Sequence, residues 1–254
     1  VQLVPRQRWH AGYPIPRMRF LIERALTDGW VTAGTLVDPV PLATFIRRVI
    51  NERIPPLSRS PFVVSALPER RTFLTTVTIP AGAVAERAEA LRGAMHATMP
   101  TDAQHATFAS APVLGTTDRM AIAAAPTDLV ESYAALFERV HLTPIALTTE
   151  AEALAYAVAF RMPPTPVLIL DLGATRTGAI IANGSSVAAS ITIPVSGMQL
   201  TAAIAAKLRI ELPAAERAKL GADLSRTTQD DPVATTIAHT LEPLVTGVTS
   251  LRTF

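Results

Sequence analysis

Residues 167–208 restrict the possible fold more than any other stretch of the chain. Four consecutive apolar residues, Val167-Leu168-Ile169-Leu170, predict a buried strand core that stops at Asp171-Leu172-Gly173. A second strand runs to Ile181, and Asn183-Gly184 is a type I′ hairpin signal because both residues tolerate positive φ. Ser186 to Pro194 returns as a third strand, and Ser196-Gly197 breaks the sheet. Gln199 to Leu208 then has the helical spacing of Leu200, Ile204 and Leu208. Pro213 suits the first turn of a further helix, and Gly221 its stop.

The rest of the chain alternates in the same way. Residues 18–26 predict a strand, and Gly29 and Gly34 punctuate the segment after it. Asp38-Pro39 opens a helix with Val40, Leu42, Phe45, Ile46, Val49 and Ile50 on one side, and Pro55-Pro56 ends it. The string F-V-V-S-A-L-P from Pro61 reads as a buried strand, and R-R-T-F-L-T-T-V-T-I-P as a half-exposed one. An Ala-rich helix is expected from about Val84 to Ala97, and a strand in R-M-A-I-A-A-A-P. A helix is expected next from Asp128 to Val140, where Asp128 and Glu131 have capping-box spacing. Strands and helices alternate without an internal repeat, so the class is α/β.

Composition removes several function classes. With 49% apolar and 17% charged residues in 254, the chain is rich enough in core to fold, and a net charge of +2 offers no field for nucleic acid. There is no cysteine, which excludes disulfides, thiolate metal sites and thiol nucleophiles and fits the cytoplasm. No apolar run approaches the roughly 18 residues of a membrane-spanning helix, and no secretory signal is visible at V-Q-L-V-P-R-Q-R-W-H. The start at Val1 within a strand-like segment and the end at Phe254 within a helical pattern read as a fragment.

Most catalytic signatures are missing. Gly173-Ala-Thr-Arg-Thr-Gly178 has P-loop glycine spacing, but Ala179-Ile180 stands where Lys and Ser or Thr are required. No G-x-S-x-G, G-x-G-x-x-G or H-E-x-x-H occurs. His10, His96, His105, His141 and His239 are scattered outside metal-ligand spacing. There remains D-L-G-A-T-R-T between two strands. A tight turn at Gly173 directs backbone N–H groups at phosphate oxygens, small Ala174 and hydroxyl-bearing Thr175 leave room, and Asp171 reaches a metal-bound water. An ordinary hairpin, in which the Asp and Gly only make the turn, is the alternative reading.

D-L-G-A-T-R-T followed by I-I-A-N-G resembles the second phosphate hairpin of the actin, heat-shock 70 and sugar-kinase superfamily. The run Ser196-Gly197-Met198-Gln199-Leu200-Thr201 resembles the G-G-x-Q-L-T element that follows this hairpin in the PilM family of type IV pilus assembly proteins. V-T-A-G-T-L-V-D-P, F-V-V-S-A-L-P with T-V-T-I-P, A-A-A-P-T-D-L-V-E-S-Y and L-T-P-I-A-L-T-T-E-A-E-A-L-A resemble successive segments of that family, in order.

The resemblance implies an actin-like (ribonuclease H-like) α/β fold with an inserted small α+β subdomain. Residues 1–69 are expected in the first lobe, 70–144 in the insertion, 145–165 in a lobe linker and 166–254 in an incomplete second lobe. It implies ATP with Mg as cofactors and little or no hydrolysis. Asp171, Gly173, Ala174, Thr175 and Gly197 would hold phosphate, with Asp171 on the metal through water. Glu150 would lie in the linker near the nucleotide. Glu211 to Lys219 resembles the adenosine-contacting helix of relatives, which places Glu216 and Lys219 on ribose or base; their alternative is an exposed salt bridge three residues apart. Ser196 in place of the first glycine is expected to restrict backbone approach to phosphate.

By the same resemblance the protein is a cytoplasmic scaffold, reaching the inner membrane through the tail of a PilN-like membrane protein and open to homo-oligomerisation. The tail is expected in a groove with one wall from residues of about 70–144 and part of the other from the sheet carrying Phe62 to Leu67. An actin-superfamily phosphotransferase and a filament-forming membrane tether are the alternatives; the first lacks a convincing base beyond Asp171 and Glu150.

Overall fold

The structure is a computed structural model that describes residues 21–79, 84–98, 105–113, 116–159, 165–184, 186–224 and 231–251. The chain divides into two compact units, Val1–Leu154 and Ala155–Phe254.

In the first unit β1 (Val31–Thr32) and β2 (Thr35–Leu36) form a minimal hairpin. Ala33 and Gly34 both take positive φ at its turn, the geometry that matches strand twist. The strand expected over 18–26 is not formed in its described part: residues 21–27 are irregular, with Leu21 and Leu26 exposed. Helix α1 (Pro39–Arg53) comes next, and residues 55–56 end it as proline must. It buries Leu42 and Ala43 against Leu136 and Val140, whereas Val40 is exposed.

Strand β3 (Phe62–Leu67) pairs in parallel with β7 (Thr143–Thr149). Only the C-terminal end of β3 is buried, at Leu67. Phe62 and Val64 are exposed, and β7 is the one strand paired with β3 among the described residues. Between these strands lies an antiparallel sheet in the order β4 (Phe73–Thr78), β6 (Arg119–Pro126), β5 (Ala106–Pro112), with helix α2 (Val84–Thr98) connecting β4 to β5. Central β6 is buried over Ile122–Ala125. Helix α3 (Thr127–Arg139) then presents Val130 and Phe137 to a core shared with Leu67, Ala125 and Leu147.

The capping box expected at Asp128 and Glu131 is not made. Pro126 occupies the cap position, and the Asp128 carboxylate accepts only from the adjacent Leu129 N–H, at 2.8 Å. The same T-x-x-E logic operates at α4 (Glu150–Ala159). There the Thr149 hydroxyl accepts from Glu152 N–H (3.1 Å), while Glu152 Oε2 accepts from Thr149 N–H (3.1 Å), Thr149 Oγ1 (3.1 Å) and Thr148 Oγ1 (2.9 Å).

In the second unit β8 (Pro166–Leu172), β9 (Thr177–Asn183) and β10 (Ser186–Ile193) form an antiparallel meander with β9 central. Asn183 pairs with Ser186 as the last strand residue, so the loop begins one residue later than its sequence signal implies, at Gly184 with φ +58°. One face carries Ala179, Ala189 and Ile193. It packs on Leu251 and on Leu241, Leu244 and Val248 of the segment formed by α7 (Pro232–Thr240) and α8 (Glu242–Ser250). Leu168, Leu170 and Leu172 share that face by register but stay exposed on edge strand β8. Helix α5 (Gly197–Leu208) packs Ile204 against Ala215 of α6 (Leu212–Leu220) and Ile237 of α7. Gly221 closes α6 with φ −89°, in the right-handed region, so a glycine is not required there by conformation.

Candidate functional site

The β8–β9 connection is the part of the second unit where the backbone leaves regular pairing while remaining anchored on both sides. The ladder closes at Leu172↔Thr177. Gly173 N–H then donates to Arg176 O at 2.9 Å, which tightens the connection into a turn. A Cβ on Gly173 would lie 2.9 Å from that same carbonyl oxygen, closer than side chains approach backbone, so the turn requires glycine for space. Buried Thr177 donates its hydroxyl to Val195 O at 2.7 Å and ties the far end of the turn to the residue before the α5 cap.

Helix α5 begins against this turn. Its N-cap, Ser196, accepts Gln199 N–H at 3.3 Å through Oγ. Ser196 has φ −151°, an extended value open to any residue, so replacing the first glycine of the family element introduces no backbone restriction here. The leading amides of the helix donate into the turn: Gly197 N–H to Gly173 O at 3.0 Å and Met198 N–H to Ala174 O at 2.9 Å.

This pairing sets the direction of the next two donors. In a planar trans peptide the C=O and the following N–H point opposite ways. The carbonyls of Gly173 and Ala174 face α5, so the N–H groups of Ala174 and Thr175 face away from it. Neither amide has an acceptor among the described residues, and both residues are exposed. Two successive outward amides are what an anion requires. Asp171, at the end of β8, is exposed, and its carboxylate has no hydrogen-bond partner among the described residues. By register it lies on the sheet face of Gly178 and Thr192. A single free carboxylate fits a Mg ion that takes most of its ligands from phosphate and water. No group of three His, Asp or Glu able to hold a metal occurs among the described residues.

Of the remaining predicted site residues, Glu150 lies in the first unit, whereas Glu216 and Lys219 reach the start of α5 beside the turn. Glu150 is the first residue of α4, half-buried, and its charge adds to burial in raising the Tyr133 phenol above its ordinary value of 10.0; burial is the larger cause. Tyr133 donates to Gly34 O at 2.9 Å. Glu216 and Lys219 lie on α6 and contact α5 directly: Lys219 Nζ donates to Gly197 O (3.1 Å) and Thr201 Oγ1 (2.9 Å) and pairs with Glu216 Oε2 (2.7 Å).

A groove of about 290 Å³ opens in the first unit between α3 and the β5 edge of the antiparallel sheet. Val130 and Ala134 line it, Thr107 and Thr127 share a 3.1 Å hydroxyl hydrogen bond there, and Glu131 and Glu138 stand exposed one above the other on the helix. The sheet carrying Phe62 to Leu67, expected to supply part of one wall of a tail-binding groove, contributes none of the residues lining this one. Strand β5 (A-T-F-A-S-A-P) escapes sequence reading because alanine carries little strand signal, and with it goes the groove's rim.

No family profile matches the chain, and no curated protein matches it. Among solved structures it is similar to a chain of a "PilM-PilN type IV pilus biogenesis complex", at 24% identity and a TM-score of 0.64 over 89% of this chain. The chain has an actin-like α/β fold. It spans 66% of that solved chain. The ethanolamine utilization protein EutJ from Carboxydothermus hydrogenoformans (17% identity, TM-score 0.41, 87% of this chain and 58% of that one) is also similar. So is MreB5 of Spiroplasma citri bound to ADP (13%, 0.48, 87% and 59%). The fold assignment rests on the first of the three. No helix among the described residues is long and apolar enough to cross a membrane.

Proposed function

We propose that this chain is a cytoplasmic, nucleotide-binding scaffold of a type IV pilus assembly platform that captures the tail of a PilN-like membrane protein. The observation that carries the reading is the groove between α3 and β5. An apolar floor of Val130 and Ala134 suits the side chains of an extended peptide, and the β5 edge, which pairs with no further strand among the described residues, offers it backbone pairing. Glu131 and Glu138, seven residues apart on one helical face, select a peptide carrying Lys or Arg. A solved chain of the same fold comes from a PilM-PilN complex, which supports a partner of that kind.

The nucleotide half of the proposal rests on the turn after β8. Ala174 and Thr175 amides take a phosphate, Gly173 and Gly197 provide close approach, and Asp171 holds Mg through water. The Mg would neutralise phosphate charge, and the residues of this chain bind and orient rather than react. Glu150 begins the helix that leaves the first unit and belongs to the proposed lobe linker, 145–165. The inserted subdomain is assigned to residues 70–144, between first-lobe residues 1–69 and the second-lobe portion 166–254.

The test is a titration of the chain with synthetic cytoplasmic-tail peptides of PilN-like proteins, followed by amide exchange. Micromolar affinity is expected for a short peptide that orders on binding, with protection over 106–112 and 127–139. Glu131→Lys/Glu138→Lys should weaken it at least about tenfold, the equivalent of roughly 1.4 kcal/mol. Absence of binding, or protection confined to 166–224, refutes the scaffold reading.

A further inference from the structure

The α6 side chains expected at adenosine are already engaged with α5. The Lys219 side chain is only 17% exposed, and it commits donors to Gly197 O, Thr201 Oγ1 and Glu216 Oε2. Thr201, itself buried, has one hydroxyl proton and close contacts with both Glu216 Oε2 and Gly197 O. Lys219 already supplies Gly197 O, so the proton goes to the carboxylate, the stronger acceptor. These two bonds hold the Glu216 carboxyl below its ordinary value, that from Lys219 contributing more.

An exposed Glu–Lys pair three residues apart on a helix would contribute only a few tenths of a kcal/mol. This pair differs because it reaches a second helix. Lys219 fixes the carbonyl of Gly197, whose amide holds Gly173 O, while the next amide holds Ala174 O. A Cβ on Gly197 would be 3.7 Å from both Lys219 Nζ and Ala174 Cα, so ammonium, helix start and turn meet at one point.

We propose that Lys219, with Glu216 and Thr201, is a positioning residue for the phosphate turn: it locks the first turn of α5, which grips two carbonyls of the β8–β9 turn and so keeps the Ala174 and Thr175 amides turned outward. It acts through α5 and makes no contact with adenosine. The last step rests on the nucleotide reading of the turn; the mechanical step does not.

The experiment compares wild-type chain with Lys219→Met, Lys219→Arg and Thr201→Val, measuring amide exchange at Gly197 and Met198 together with affinity for Mg-ATP and for inorganic tripolyphosphate. Lys219→Met should speed exchange at both amides about tenfold with Ile180 unchanged, and lower affinity for the two ligands by the same factor. Lys219→Arg should restore part of both. Thr201→Val keeps the ion pair and should show the same pattern more weakly, which preserves the test if Lys219→Met does not fold. Loss of ATP affinity alone, with tripolyphosphate binding and exchange unchanged, would make Lys219 an adenosine contact and overturn the proposal, as would no change in exchange. If wild-type chain binds neither ligand, the nucleotide reading fails, and faster exchange at Gly197 and Met198 alone decides whether Lys219 positions the turn.

Discussion

The family resemblance places both Gly173 and Gly197 at phosphate, yet their surroundings imply opposite responses to the same substitution. In Gly173→Ala the new methyl lies 2.9 Å from Arg176 O, a backbone atom already held by the turn's closing hydrogen bond. Ordinary contact begins near 3.4 Å, so the turn must open by about half an ångström. Overpacking of this kind costs about 1–3 kcal/mol, offset by about 0.4–1 kcal/mol because alanine restricts the unfolded chain. A net loss of about 1–2 kcal/mol is expected. In Gly197→Ala the methyl meets Gly173 O, Ala174 Cα and Lys219 Nζ at 3.6–3.7 Å, ordinary contacts, within the first turn of a helix. Alanine's helix preference then yields a gain of about 0.5 kcal/mol. Native-state amide exchange at Ile180 and Ala182, buried in β9, reads the opening of this unit. Protection should fall about 5–30-fold in the first variant and rise slightly in the second. A neutral Gly173→Ala, or a costly Gly197→Ala, would refute the account of how the turn is held.

The first unit yields two further expected outcomes. Glu152→Ala removes the acceptor of three hydrogen bonds at the start of α4 and should lower stability by about 1–2 kcal/mol in urea melts, with Glu131→Ala near zero because Glu131 caps nothing. Tyr133→Phe should cost about 1 kcal/mol through the unpaired Gly34 carbonyl. The Tyr133 phenol is raised in the folded state, so the unfolded chain ionises first: wild-type stability should decline as pH climbs past 10.0, and a urea-melt series across pH should show the decline reduced in the Phe variant.

Element type was legible where periodicity or punctuation was strong. The meander β8–β10, α1 with its flanking prolines, and α3 each combine a repeating apolar pattern with a stop. Boundaries slipped where one signal had two solutions. Asn183-Gly184 fits a turn with either residue inside the strand, and both Asp128/Glu131 and Thr149/Glu152 satisfy capping-box spacing, so strand ends chose between them. The candidate site was legible as a motif at Asp171–Thr177, but its working geometry was not: which way the Ala174 and Thr175 amides face depends on where Gly197 and Met198 lie, some twenty residues later. The roles of Glu216 and Lys219 were hidden for the same reason, since spacing along α6 says nothing about the carbonyl of Gly197 beside it.

The groove beside α3 is lined largely by small side chains. Ala134 and Ala135 of the helix share the lining with Thr127 at the helix start and Thr107 of β5, and the neighbouring central strand reads Ala-Ala-Ala over 123–125. For the peptide proposed above, recognition would then be separable into two dials. The carboxylates of Glu131 and Glu138 would set which sign of peptide is admitted, while the alanines would set depth, each added methylene displacing a ligand contact worth about 0.8 kcal/mol. A lineage could retune the affinity of such a groove by exchanging Ala for Val or Leu, one step at a time, without altering the charge that chooses the partner.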